Sequence, residues 1–269
     1  MGLKIRELDA EGCARRHDQV AALEEGVRYP LGDDSFEIDH GSDYFAFFRR
    51  LGDVCPYVVI DDDAVVGLAI GILRELVPSE GVEAREAWYI CDLKIRSAYR
   101  GGRIPWRMFL QSLPRKYPLC PRGYGITMNP SGGRENPVVR LVKRFSLIPI
   151  SIGCELWLYS LDAEEMRSCA SLLSQHRGEL SYLSLRGVKD IVLESTGAPM
   201  PLLHVQFGPS GRDGLTEPAE DCVHMFCSPS DDALCRDLEA AGFSPSATAT
   251  LLHHRMGSWD WRSVLTSEI

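Results

Sequence analysis

No stretch limits what this chain can fold into more than residues 87–114. Ala87 to Ile95 is rich in aromatic and β-branched side chains and reads as a strand. Ala98-Tyr99-Arg100-Gly101-Gly102-Arg103 follows as a basic, glycine-bearing turn. Trp106, Phe109, Leu110 and Leu113 then fall at i, i+3, i+4 and i+7, the apolar stripe of an amphipathic helix. Pro105 stands in the first turn of that helix, where a missing N–H costs nothing, and Pro114 is expected to end it. The turn has chemistry of its own. Backbone N–H groups at a helix start attract anions, glycines let a ligand approach the backbone, and Arg100 and Arg103 add charge-assisted bonds. That is a pyrophosphate cradle. A tight turn with solvated arginines is the competing reading, and the turn alone leaves both open.

Around this unit the pattern alternates. Glu11 to Val27 reads as a helix with Val20, Leu23 and Val27 on one face, its end weakened by Gly26. Tyr29 to Asp34 is polar and turn-rich. Asp43 to Arg50 holds an aromatic cluster on a short helix, either a core stripe or a pocket wall. Tyr57–Ile60 and Val65–Leu76 form a hairpin across Asp61-Asp62-Asp63. Those aspartates lack further oxygen ligands at loop spacing and read as a solvated turn. Val77 to Gly81 links the hairpin to the strand at Ala87. Tyr124–Met128 is a strand, Asn136 caps a helix running to Arg144 with Pro137 first, and Cys154–Leu161 is a strand.

A second unit begins near residue 163. It reads as a helix (Ala163–Arg177), two strands (Asp190–Leu193 and Leu202–Phe207) joined by a Gly-Ala-Pro turn, and an acidic Gly/Pro-rich loop from Gly208 to Asp221. A strand at His224–Phe226, a helix (Asp231–Ala241, stopped by Gly242) and a last strand (Thr248–Met256) follow. Phe145-Ser146-Leu147-Ile148-Pro149 and Phe243-Ser244-Pro245 each follow a helix and lead into a strand, so a duplicated half-domain is conceivable.

Composition excludes several classes. With 45% hydrophobic and 25% charged residues over 269 positions, the chain is an ordinary globular protein of one large or two small domains. A net charge of −9 argues against a nucleic-acid partner. The longest apolar run, Val65 to Leu73, is about half a membrane span, so no membrane partner is expected. No apolar core segment follows Met1 to Arg6, and Arg6 stands where myristoylation wants Ser or Thr. The nine cysteines are scattered without a C-x-x-C. They read as buried, reduced thiols of a cytoplasmic protein without a metal site. His253 and His254 point to opposite faces of the last strand, which disfavours a metal pair. No Gly-x-Ser-x-Gly elbow supports a hydrolase.

Leu93-Lys94-Ile95, Tyr99-Arg100-Gly101 and the amphipathic helix after them resemble the central motif of the GNAT acetyltransferases. The preceding hairpin and the following strand, Asn-led helix and strand fit the same family. The resemblance covers roughly residues 3–161. It implies an α/β fold, a splayed mixed β-sheet flanked by helices, with a smaller C-terminal α/β unit. The expected domains are residues 1–162, a GNAT-like acyltransferase, and 163–269, a degenerate GNAT-like half that shapes the acceptor cleft. The implied activity is N-acyl transfer from acyl-CoA, acetyl-CoA first, to an amine of a small molecule or peptide. A catalytically inactive module that binds CoA or an amine is the alternative. A homodimer is left open.

The resemblance also names residues. Pantetheine would pair with the backbone of Leu93, Lys94 and Ile95. The pyrophosphate would sit on Arg100, Gly101, Gly102, Arg103, Ile104 and Pro105, and Asn136 joins the cofactor set. Arg103 stands where the family pattern has its first glycine, and Pro105 where it has Gly or Ala. Proline removes one donor from the cradle. A base must take the amine proton, and Asp92 is the ionisable group on the strand before the turn. A structural hydrogen bond is the other reading of Asp92. Cys91 as an acyl-carrying nucleophile lacks a sequence-near histidine. Lys143 occupies the place of the family's tyrosine acid. His40 lies among the elements that shape the acceptor site, with a surface position the commoner outcome for a loop histidine.

Overall fold

The computed structural model describes residues 2–77, 83–101, 103–144, 148–211 and 214–269. The linker at Pro78–Gly81 and the Phe145–Leu147 part of the internal echo lie outside the described residues.

The chain opens with β1 (Lys4–Glu7). The helix expected from Glu11 is split. Asp9 caps α1 (Ala10–Arg15) by accepting the Gly12 N–H at 2.8 Å, and α2 (His17–Ala21) restarts after Arg16. The turn-rich stretch after it becomes a hairpin, β2 (Tyr29–Leu31) and β3 (Asp34–Asp39), in which Tyr29 stacks on the opposite Phe36 at 5.3 Å. α3 (Ala46–Arg49) is one turn that buries Phe47 and Phe48. β4 (Asp53–Asp61) and β5 (Ala64–Leu76) are the expected hairpin, and β6 (Arg85–Ile95) the expected strand. α4 (Ile104–Lys116) runs past Pro114, because a proline near the last turn forfeits one backbone bond while the Tyr117 N–H still reaches the Leu113 carbonyl at 2.9 Å.

β7 (Gly123–Met128), α5 (Pro137–Val142) and β8 (Ser151–Leu161) follow. α6 (Ala163–Arg177) starts on a capping box of Asp162 and Glu165. β9 (Ser181–Leu183), β10 (Asp190–Leu193), β11 (Leu202–Gln206), β12 (Val223–Pro229), α7 (Ala233–Ala240) and β13 (Ala247–His254) complete the chain. β10 and β11 are not a hairpin: β10 pairs with β3, whereas β11 lies between β9 and β12.

Ten strands form one sheet in the order β1-β4-β5-β6-β7-β13-β8-β12-β11-β9, and β10-β3-β2 form a second, small sheet. Within the large sheet β6–β7 and β11–β12 run parallel, and the other neighbours are antiparallel. The order has an internal two-fold pattern. One parallel pair, β6 and β7, leads through α5 into β8; the other, β11 and β12, leads through α7 into β13. β13 lies against β7, β8 lies against β12, and the two central strands pair with each other. Each half therefore places its last strand beside the other half. The halves differ between their parallel strands. α4 joins β6 to β7, whereas the Gly/Pro-rich stretch joins β11 to β12, with one 3-10 turn at Gly208–Ser210 among its described residues.

Apolar clusters cover both faces of the large sheet. Residues of α2 and α3 pack with Val58, Leu68 and Ile72 on one face of the first half. Ile104 and Met108 of α4 pack with Val59 and Val66 on the other. α6 and α7 pack on β8, β11 and β12 through Met166, Leu173, Leu234 and Phe226.

Candidate active site

The register between β6 and β7 is two residues long, Trp88 opposite Gly123 and Tyr89 opposite Tyr124. Tyr89 stacks on Tyr124 at 4.8 Å, which clamps the strands at that level. Just past the clamp the backbones still crowd: a Cβ at Gly125 would lie 2.9 Å from the Ile90 carbonyl oxygen. Beyond it β7 turns toward β13 and β6 bulges. Leu68 pairs with Lys94 and Ile70 with Cys91, so β6 carries one residue more than β5 between those pairs. Asp92, in the bulge, has φ of +53°, a left-handed conformation that aspartate tolerates better than most residues. Ile90 and Leu93 are left 50% and 37% exposed.

A cavity of about 1000 Å³ occupies the opening. Arg100, Pro105, Met108 and Phe109 line it from the α4 side, and His40, Phe47, Phe48 and Lys189 from the opposite side. It passes through the sheet where β6 and β7 part.

On the α4 side, residues Ser97–Tyr99 make one 3-10 turn, pinned where the Tyr99 hydroxyl donates to Asp61 at 2.7 Å. Arg100 donates from Nε to the Ile95 carbonyl at 3.1 Å, and Gly101 takes a φ of +88°. Arg103 has φ of +53° and leads directly into α4, whose first turn has no side-chain cap. Gly102 lies outside the described residues. Ile104 is 2% exposed, so its side chain belongs to the core and only its backbone borders the turn. Pro105 lines the cavity. Leu93 faces the opening, Ile95 packs toward α4, and the Lys94 side chain lies buried on the far face. Asn136 is buried and fully engaged. It accepts from the Val138 N–H at 2.9 Å, and it donates to the Met128 carbonyl at 2.9 Å and to Asn129 Oδ1 at 3.1 Å. It thereby ties α5 to the end of β7.

A charged cluster sits on the opposite side of the bulge. Lys94 pairs with both Asp92 and Glu24, and it donates to the Tyr44 hydroxyl at 3.0 Å. That hydroxyl donates to Asp92 Oδ2 at 2.6 Å. Burial pushes Lys94 down against the upward pull of Glu24. His40 corrects the expectation of a surface residue. It is 6% exposed, its ring lies 4.2 Å from that of Tyr44, and its Nε2 is 3.9 Å from Glu24. Neither ring nitrogen has a hydrogen-bond partner. Burial, with Lys94 and Lys189 adding to it, depresses His40 to about 3, so the ring is neutral near pH 7. Lys189 lies 4.3 Å over the Phe47 ring and donates to the Ile269 carbonyl. Burial lowers it to about 8.

Cys91 is pushed up to about 12 by burial and stays a thiol at neutral pH, a poor nucleophile. Lys143 is exposed and pairs with Glu135 at 3.1 Å. Among the described residues no three His, Cys, Asp or Glu side chains gather as a metal site. Glu24, Tyr44 and Lys189 are the members that sequence reasoning passed over. Glu24 lies on a stretch read as a helix and Tyr44 in the aromatic cluster read as a core stripe or a pocket wall, and Lys189 is far from the motif in the chain.

No protein-family model matches the chain. A tandem GNAT protein from the clavulanic acid biosynthesis pathway superposes over 94% of this chain and 98% of its own length, with a TM-score of 0.52 at 14% identity. The fold is that of a tandem GNAT protein. A GCN5-related N-acetyltransferase from Kribbella flavida aligns over 96% of this chain and 73% of its own, at 12% identity and a TM-score of 0.44. In sequence, the uncharacterised protein L340 of Acanthamoeba polyphaga mimivirus is 23% identical over 238 residues, 85% of this chain and 68% of that protein. In GNAT terms the parting of β6 from β7 is the splay of the first half, and the exchanged β8 and β13 join the two halves.

Proposed function

We propose that this chain is an acyl-CoA-dependent N-acyltransferase, moving an acetyl or other acyl group to an amine of a small molecule or peptide. The observation that carries the reading is the cavity through the sheet, with a basic helix start at one end and a buried charged cluster at the other. The residues suit CoA. The edge of β6 from Leu93 to Ile95 lies past the last pair with β7 and offers backbone groups to a pantetheine amide. Arg100 and Arg103 flank the uncapped start of α4, where a pyrophosphate gains from N–H groups and the helix dipole, less the donor that Pro105 lacks. Asn136 supports that wall by holding α5.

Transfer requires the amine to lose a proton as its nitrogen attacks the thioester carbonyl, and the thiolate that leaves to gain one. Asp92 borders the cavity at the bulge and is the base in this reading, directly or through a water. Tyr44 and Lys94 hold its carboxylate in place. The second reading, a module that binds CoA or an amine without turnover, is favoured by two observations. Lys143, at the place of the family's acid, is exposed in an ion pair, and Asp92 is already held by two partners. Residues 1–162 are read as the acyltransferase domain and 163–269 as its degenerate second half. The nine cysteines of the whole chain are free, which suits the cytoplasm.

Thiol release from acetyl-CoA over an amine and amino-acid panel, beside a calorimetric CoA titration, separates the readings. Release with CoA binding establishes the enzyme, and binding with no release on any amine establishes the module. Absence of CoA binding removes the enzyme and leaves an amine-binding module as the one reading to test.

A further inference from the structure

Beyond the charged cluster, on the side away from α4, the cavity continues as a chamber with a largely apolar stretch of wall. Val27, Phe36, Ile38, Phe47, Phe48 and Ile191 line it, from the segment after α2, the small sheet and α3. The second half therefore helps to build it. Two features of the chamber select its occupant. The first is charge. The carboxylate of Asp92 that borders it is paired with Lys94, which also pairs with Glu24, and Lys189 lines the same region. The charges of the cluster balance, two carboxylates against two lysines, so a polycation would gain little here that a monoamine does not. The second is His40. Its buried ring borders the cavity with both nitrogens unpaired, and a buried polar atom without a partner is costly until a ligand satisfies it. An amine brings N–H groups to such a nitrogen, whereas the methylenes of a long acyl chain would leave it unsatisfied.

We infer that the acceptor is a primary amine on an apolar skeleton, its nitrogen received at His40 and its apolar body lodged between Phe36, Ile38, Phe47, Phe48 and Ile191. This rests on the acyltransferase reading for its purpose, but the chamber can be tested without turnover. The full-length protein, free and saturated with CoA, is titrated calorimetrically with propylamine, butylamine, pentylamine, hexylamine, phenethylamine and spermidine. Each added methylene is expected to tighten binding about fourfold, the value of one buried CH₂. Phenethylamine should bind at least tenfold more tightly than spermidine. Val27→Lys, at the half-buried edge of the chamber, should flatten the alkylamine series. His40→Phe should weaken every amine by a similar factor while keeping the methylene increment.

A flat series in the parent, or spermidine binding as tightly as phenethylamine, overturns the inference. So does a Val27→Lys variant with an unchanged series. Octanoyl-CoA binding tenfold tighter than acetyl-CoA, with the difference erased in Val27→Lys, would assign the chamber to the acyl chain instead. A protein that binds no CoA yet shows the methylene series in its free form fails the acyltransferase reading alone.

Discussion

At the scale of single residues, the site concentrates groups that are costly to bury. His40 and His204 are both depressed to about 3 by burial, and both are neutral in the folded protein near pH 7. In the unfolded chain a histidine titrates near 6.5. Between those values the unfolded state binds more protons than the folded one, so stability is full above about pH 6.5 and falls as the pH drops below it. Each ring contributes a slope of up to about 1.4 kcal/mol per pH unit. His224 and His253 are lowered as well and push the same way. Urea unfolding at pH 7.5 and 5.5 should show the loss, and His40→Gln should reduce the slope by the share of one proton. An equal slope in that variant would mean that His40 is not held neutral.

Asp92 combines two demands, a left-handed backbone and a negative charge beside Lys94. Asp92→Asn keeps the backbone tolerance and removes the charge. It should keep CoA affinity and lower kcat by about 10²-fold or more if the carboxylate takes the proton. Asp92→Ala should be less stable than Asp92→Asn by about 1 kcal/mol, because alanine resists the left-handed region. A kcat unchanged in Asp92→Asn leaves this residue a structural role only.

Elements behaved according to how much of their definition is local. α6 begins and ends where its capping box and last-turn basic residues place it, and α5 begins at Asn136 and Pro137. The bulge in β6, by contrast, exists only against β5, and no local signal marks it. The basic turn is the element with the clearest binding consequence. Reversing charge with Arg100→Glu should weaken CoA by about 1.5 kcal/mol or more, roughly tenfold, as expected for losing a bond to a charged group. Arg103→Glu should do the same. Calorimetry with CoA decides this, and parent-like affinity in both variants would move the cradle elsewhere.

For the whole molecule, the exchange of β8 and β13 is the central fact. β13 is paired on both sides, with β7 and with β8, and both partners belong to residues 1–162. A fragment ending at Asp162 would leave β7 and β8 with unpaired edges where β13 had been, and it would uncover the apolar face that α6 and α7 protect. Such a fragment should aggregate on size-exclusion chromatography. A monomeric fragment with full CoA affinity would show the first half to be self-sufficient. The end of the chain reinforces the tie: Glu268 pairs with buried Arg74 of β5 at 2.7 Å. Glu268→Ala leaves that guanidinium buried without its carboxylate. It should cost about 3 kcal/mol in urea unfolding, the low end for a broken buried pair.

The order of strands and helices from β4 to β8, the cap of α5, the span of α6, and the basic turn before α4 were legible in the sequence, because each depends on side-chain periodicity or on residues a few positions apart. The helix that breaks into α1 and α2, the β2–β3 hairpin and the single turn of α3 were less so. They are short, and packing rather than propensity defines them. The candidate site was read as a turn and one aspartate, and that part of it stands on local chemistry. The cluster around Asp92 could not be read this way. Glu24, His40, Tyr44, Lys94 and Lys189 come from four segments, and only the folded sheet brings them to one bulge. The same holds for the exchange of β8 and β13. A strand's composition records how well it fits a sheet, but its neighbours are chosen by the hydrogen-bonding edges that the rest of the fold leaves open.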